Sequence, residues 1–115
     1  MSQTATFSIL GSSKKFQLHS NIKRYSLRDH GFMETKNGNF QYERPLSTVI
    51  TDSKAPVLKM TISKNFDRVR LSIVASVNSA KKINIYKNEH MEDARELLEF
   101  ILKEFIEAEI IQEMN

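Results

Sequence analysis

The spacing of the apolar residues changes once along this chain, and that change restricts the fold more than any other feature. Up to residue 87 they recur at every second position in short runs; past Asn88 they recur with the 3.6-residue period of a helix. The run 4–10 sets Ala5, Phe7 and Ile9 against Thr4, Thr6 and Ser8, which marks a half-buried strand. Gly11-Ser12-Ser13 offers turn chemistry, and 15–19 resumes the alternation through Phe16 and Leu18, predicting a hairpin. Residues 57–63 alternate through Leu58, Met60 and Ile62. The longest run, Val69, Leu71, Ile73, Ala75 and Val77, predicts a central strand, and Ile83 and Ile85 carry a further one over 82–87. Residues 47–56 read as a loop in which Thr48-Val49-Ile50-Thr51 is compatible with a short edge strand. Residues 22–27 fit either a helical turn or an extended connector.

Past Asn88, the residues Met91, Ala94, Leu97, Leu98, Ile101, Leu102, Phe105 and Ala108 fall in one stripe of a helix, with Glu92, Glu96, Glu99, Lys103 and Glu107 outside it. Asn88 is the expected N-cap, and Glu89, Glu92 and Asp93 suit the positive end of the helix dipole. Glu109 would re-enter the apolar stripe, so the helix is predicted to stop near Ala108, with 109–112 irregular or a short strand. A helix about 10 Å wide cannot cover six flat strands spaced about 4.8 Å apart. The expected fold is therefore α+β: two antiparallel β-sheets, or one strongly curled sheet of six or seven strands, packed on a single long C-terminal helix. Residues 1–115 are expected to make one domain, with no linker or internal repeat to divide them.

Composition removes several function classes. With no cysteine, disulfides, thiol nucleophiles and thiolate metal sites are excluded together. No apolar run approaches the length of a membrane span, and the first residues lack the pattern of an export signal, so the expected compartment is the cytoplasm. His19, His30 and His90 have no ligand spacing, and Gly11, Gly31 and Gly38 are isolated, so no metal, phosphate-loop cofactor or catalytic constellation is legible. The net charge of +3 conceals a segregation: two basic and nine acidic residues follow Asn88 (−7), while 15 basic and five acidic precede it (+10). An acidic helix neutralising a basic sheet explains this, and so does a basic surface for an anionic partner.

The densest chemistry lies in residues 24–44, with four cations, three carboxylates, four aromatics and two of the three glycines. Gly31 is expected at a backbone angle other residues avoid. Asn37-Gly38 predicts a two-residue hairpin turn, which would pair Glu34 with Gln41, Met33 with Tyr42 and Phe32 with Glu43. That register puts Met33, Phe40 and Tyr42 on the core face, leaves Phe32 as an apolar exception among the polar set, and lets Pro45 end the ladder. Arg24, Arg28 and Arg44 offer planar forks for a carboxylate, and Lys36 a point charge. Asp29, Glu34 and Glu43 would meet an amine, with Tyr25 beside them. The same ions can equally pair with one another. Lys14-Lys15-Phe16 and Lys23-Arg24-Tyr25 interleave cations with rings as nucleic-acid binders do, but no signature of such a fold accompanies them.

The combination of Arg24-Tyr25, Leu27-Arg28-Asp29, Gly31-Phe32, Glu34-Thr35-Lys36, Gly38-Asn39-Phe40 and Glu43-Arg44 resembles a small Gram-positive bacterial family of unknown function associated with amino acid metabolism. The likeness extends over nearly the whole chain and implies two sheets packed on one helix, with no established activity. A more distant similarity reaches the prokaryotic S-adenosylmethionine decarboxylases, which cleave themselves at a Glu-Ser bond and use a cysteine; this chain has neither. The function expected is binding of a small amino-acid-derived metabolite without catalysis. A protein-interaction module regulating an enzyme of amino-acid or sulfur metabolism is the alternative, and nucleic-acid binding through the basic sheet a weaker one.

Overall fold

A computed structural model describes residues 6–9, 11–47, 55–76, 81–86 and 91–114. The elements run β1 (Thr6–Ser8), β2 (Lys15–Leu18), α1 (Arg24–Asp29), β3 (Met33–Glu34), β4 (Phe40–Pro45), β5 (Val57–Ile62), β6 (Val69–Val74), α2 (Glu92–Glu107) and β7 (Ile111–Met114). Two antiparallel sheets form, in the orders β1-β2-β7 and β3-β4-β5-β6. The α+β reading of two sheets and one long helix therefore holds, with α2 16 residues long.

The first hairpin is as the alternation predicts, with Phe7 opposite Phe16 and their rings stacked at 5.4 Å. Its other partner comes from the far end of the chain: β7 lies against β2, Leu18 opposite Ile111. The connector after β2 resolves into the helical alternative, α1, which buries Leu27. Both helices close in the same way. In α1 the Gly31 N–H donates to the Arg28 carbonyl and Phe32 N–H to that of Leu27; in α2 the Glu109 N–H donates to Ile106 and Ile110 N–H to Phe105. This paired closure requires a left-handed residue just past the helix. Gly31 (φ 95°) supplies it in the first case and Glu109 (φ 60°), a residue that adopts this conformation only at a cost, in the second. The predicted stop near Ala108 is thus met, and β7 takes the strand alternative. The expected N-cap is corrected: α2 begins at Glu92 with Met91 in the N-cap position and no side-chain cap, while Asn88 and the stretch 48–51 lie outside the described residues.

Two further expectations are corrected. The β3–β4 loop has three residues, Lys36-Asn37-Gly38: Thr35 N–H donates to the Asn39 carbonyl and Gly38 N–H to that of Thr35. Gly38 takes φ 86°, the bulge position of a three-residue hairpin. Pairing slides by one, to Met33 opposite Gln41 and Glu34 opposite Phe40. Met33 is consequently turned out, 75% exposed, and Phe32 is turned in among the core rings. β4 ends at Pro45 as expected, its terminal pair being with Val57 on β5. The second correction concerns β6, which lies at an edge of its sheet; β4 and β5 are interior. Only one bridge, Val74 to Lys82, represents the strand expected over 82–87 among the described residues, although Ile85 is fully buried as predicted.

The core follows from these registers. Phe40, Tyr42, Leu58, Met60, Ile62 and Ile73 face the helix stripe of Ala94, Leu98, Ile101, Leu102 and Phe105, all buried. Phe105 sits where the elements converge, its ring centroid 5.5 Å from Phe32 and 5.3 Å from Tyr42.

Candidate functional site

Of the eight residues singled out in 24–44, Arg24, Tyr25, Arg28 and Asp29 lie on α1, Glu34 ends β3, Lys36 is in the hairpin loop, and Glu43 and Arg44 are on β4; all are exposed. The structure brings two of them into contact. Arg28 Nη2 stands 2.8 Å from Glu34 Oε1, tying the end of α1 to β3. Alternation sends Glu43 and Arg44 to opposite faces, Glu43 opposite Lys59 and Arg44 opposite Leu58. Phe32 and Tyr42 are spent in the core with Phe105 and offer no wall to a ligand. None of the eight lines a described cavity. His30 packs its ring edge-on to Phe105 at 6.3 Å.

A better-formed cleft lies between the outer edge of α2 and the three-stranded sheet, with a volume of about 260 Å³. Its floor is apolar: Ile9 from the end of β1, Phe16 from β2, and Leu102 and Ile106 from α2. Its rim carries both signs of charge. Lys14, just before β2, and Glu113 on β7 stand 3.8 Å apart, a pair loose and exposed enough to open for a ligand. Glu99 and Lys103, four residues apart on α2, present the other carboxylate and ammonium. Tyr86 completes the wall. Burial pushes its phenol above the usual tyrosine range, the nearby Glu99 carboxylate pushes the same way, and Arg95 partly offsets both. The segment carrying Tyr86 is fixed by Arg95 Nη1, which donates to the Ile85 carbonyl at 2.8 Å, and by the Asn84 side chain, which accepts the Tyr86 N–H at 2.9 Å.

Sequence reasoning missed this cleft because its parts are separated by as much as the chain allows, from Ile9 to Glu113. Lys14 and Lys15 were visible as cations beside Phe16, and Glu99 and Lys103 as residues outside the helix stripe. No local pattern shows that β7 returns to place Glu113 beside Lys14. No group of three or more His, Asp or Glu residues among those described is arranged to hold a metal ion. No helix among them is long and apolar enough to cross a membrane. The outward positions of the four-stranded sheet, Met33, Gln41, Glu43, Lys59, Thr61, Arg70 and Ser72, present no aromatic ring for a base to stack on.

No curated protein is similar enough to this chain to count as a relative. Among solved structures, the chain is similar to a DUF1831 family protein from Lactobacillus plantarum, 32% identical, with a TM-score of 0.86 and 99% of each chain covered. Residues 1–112 match the model of the DUF1831 family, described as "Putative amino acid metabolism". The chain belongs to the DUF1831 family.

Proposed function

We propose that this is a cytoplasmic, non-catalytic or accessory domain that binds a small amino-acid-derived metabolite in the cleft between α2 and the three-stranded sheet. One observation carries the reading: a metabolite-sized apolar floor is ringed by two ammonium groups and two carboxylates. A zwitterion needs both charges met, and its side chain needs an apolar surface. Lys103 and Lys14 receive the ligand carboxylate, Glu99 and Glu113 its amine, and Phe16, Leu102 and Ile106 its side chain. The family description, which names amino acid metabolism, supports the same class of ligand.

The test is a thermal-shift and calorimetric screen of amino acids and S-adenosylmethionine relatives. A ligand at a hundred times its Kd adds about 2.7 kcal/mol, which for a domain of this size raises Tm on the order of 10 °C. The shift is expected with one class of amino-acid derivative and is expected to be lost in Lys103→Gln. A panel that shifts neither protein overturns the proposal for those compounds.

A second reading is favoured by a different observation. Tyr25 and Met33, 63% and 75% exposed, are large apolar side chains within the charged stretch 24–44. Amid Arg24, Arg28, Asp29, Glu34, Lys36, Glu43 and Arg44, they have the mixed character of a surface that contacts another protein, such as an enzyme of amino-acid or sulfur metabolism. A partner bound there would be lost from a Tyr25→Ser, Met33→Ser double variant and kept by Lys103→Gln.

A further inference from the structure

A second cavity lies where the turn after β5 faces the start of β1. It is an open groove of about 580 Å³ lined by Thr6, Asn39, Thr61, Ser63 and residues 67–70. Among the described residues no aromatic ring lines it, so it differs in kind from the α2 cleft: almost every described side chain here offers a polar atom. Arg70 projects from β6 on the same face as Thr61, its partner across the ladder. No described carboxylate forms an ion pair with its guanidinium.

The turn beneath is held shut. The Ser63 hydroxyl donates to Asp67 Oδ1 and accepts the backbone N–H groups of Asp67 and Arg68 at 3.1 and 2.9 Å. That hydroxyl bond is the main reason the Asp67 carboxyl lies below its usual range, and the Arg68 guanidinium acts in the same sense. Asp67 is therefore already engaged by Ser63, while Arg70 is left to face the groove. Asn39 spends its side-chain oxygen on the Lys64 N–H at 3.1 Å, and its amide hydrogens remain to donate. A fork-shaped cation with hydroxyl and amide donors around it is the arrangement that binds a tetrahedral oxyanion.

We propose that this groove binds the phosphate group of a small, polar phosphate ester, at a site separate from the amino-acid cleft. Arg70 and Arg68 grip the phosphate oxygens, Thr61 and Asn39 add neutral hydrogen bonds, and the outer oxygen of Asp67 accepts a hydroxyl of the ligand's polyol part. The volume takes a ligand larger than the bare ion, and the missing aromatic wall selects a sugar or glycerol body over a base.

The experiment is a heteronuclear NMR titration of the full chain with glycerol phosphate, with inorganic phosphate and glycerol as separate arms. Saturable shifts concentrated on the amides of 61–70 are expected with glycerol phosphate and absent with glycerol. Binding of the ester tighter than that of the free ion assigns the ester, and equal binding reduces the site to one for phosphate alone, overturning the polyol assignment. Arg70→Gln is expected to weaken binding about tenfold, the usual size of one lost charge-assisted hydrogen bond. Arg70→Lys, which keeps the charge and loses the fork, should fall between. Lys103→Gln, which tests the α2 cleft, is expected to leave this titration unchanged, so each site can fail without the other. Linear shifts spread over the surface lysines, or binding indifferent to Arg70→Gln in a protein whose remaining spectrum is native, would overturn the proposal.

Discussion

Phe105 meets three rings, those of His30, Phe32 and Tyr42, and so joins α1, β4 and α2 through one side chain. Its truncation leaves a void that no neighbouring element can fill without moving. Phe105→Ala is therefore expected to lower stability by about 3–5 kcal/mol, a large part of the about 5–15 kcal/mol a domain has, as read from denaturant unfolding. Tyr86 allows a test by pH. Below about pH 10 the phenol is protonated whether the chain is folded or not. Above that value the unfolded chain loses the proton first, because burial and Glu99 hold the folded phenol higher, so stability falls as pH rises towards the folded midpoint. In Glu99→Gln that midpoint should move down, seen as tyrosinate absorbance that is missing from Tyr86→Phe; an unmoved midpoint would refute the placement of Glu99 beside the phenol. Phe105 was legible in the helix stripe. Tyr86 was not, since the charged groups that act on its phenol, Glu99 and Arg95, come from α2.

Between neighbouring elements, what the sequence conveys is period, and what it conceals is partnership. The alternation found β1, β2, β5 and β6 and the stripe found α2, because a half-buried face imposes its period directly on the residues, while β3 and β4 were announced by the Asn37-Gly38 turn. Register depended on one turn residue more or less: with Gly38 as a bulge, every side chain of β3 changed faces, and Met33 exchanged places with Phe32. Likewise, the length of the β6 run says that one face is apolar, but not whether a strand lies on both sides. Gly31 tests the closure of α1. A Cβ at its φ of 95° is strained and would stand 3.2 Å from the Tyr42 ring, so Gly31→Ala should cost about 1–2 kcal/mol in urea unfolding. A cost near zero would mean that α1 does not end in the paired closure described above.

For the molecule as a whole, charge and connectivity matter most. The acidic residues Glu92, Asp93, Glu96, Glu99 and Glu107 are exposed on α2, while the chain before it carries the excess of cations. Raising ionic strength from about 0.01 to about 0.15 M shortens the screening length from about 30 to about 8 Å. The attraction between helix and sheets should weaken with it, and Tm is expected to fall by a few degrees in chloride; a rise would show that repulsion among the cations outweighs that attraction. The candidate sites were legible least of all, because each is assembled from segments that only tertiary structure brings together. Lys15 pairs with Met114 and Leu18 with Ile111, so the three-stranded sheet is made from the two extremes of the chain. On a ribosome, β3 to β6 can pair well before β7 is made, whereas the β1–β2 hairpin must wait with one edge unmatched until β7 emerges. The loop that β7 closes is nearly the whole chain, and its entropy must be spent late. The slowest folding event, and the stage most open to pairing with a neighbouring nascent chain, is therefore the arrival of β7.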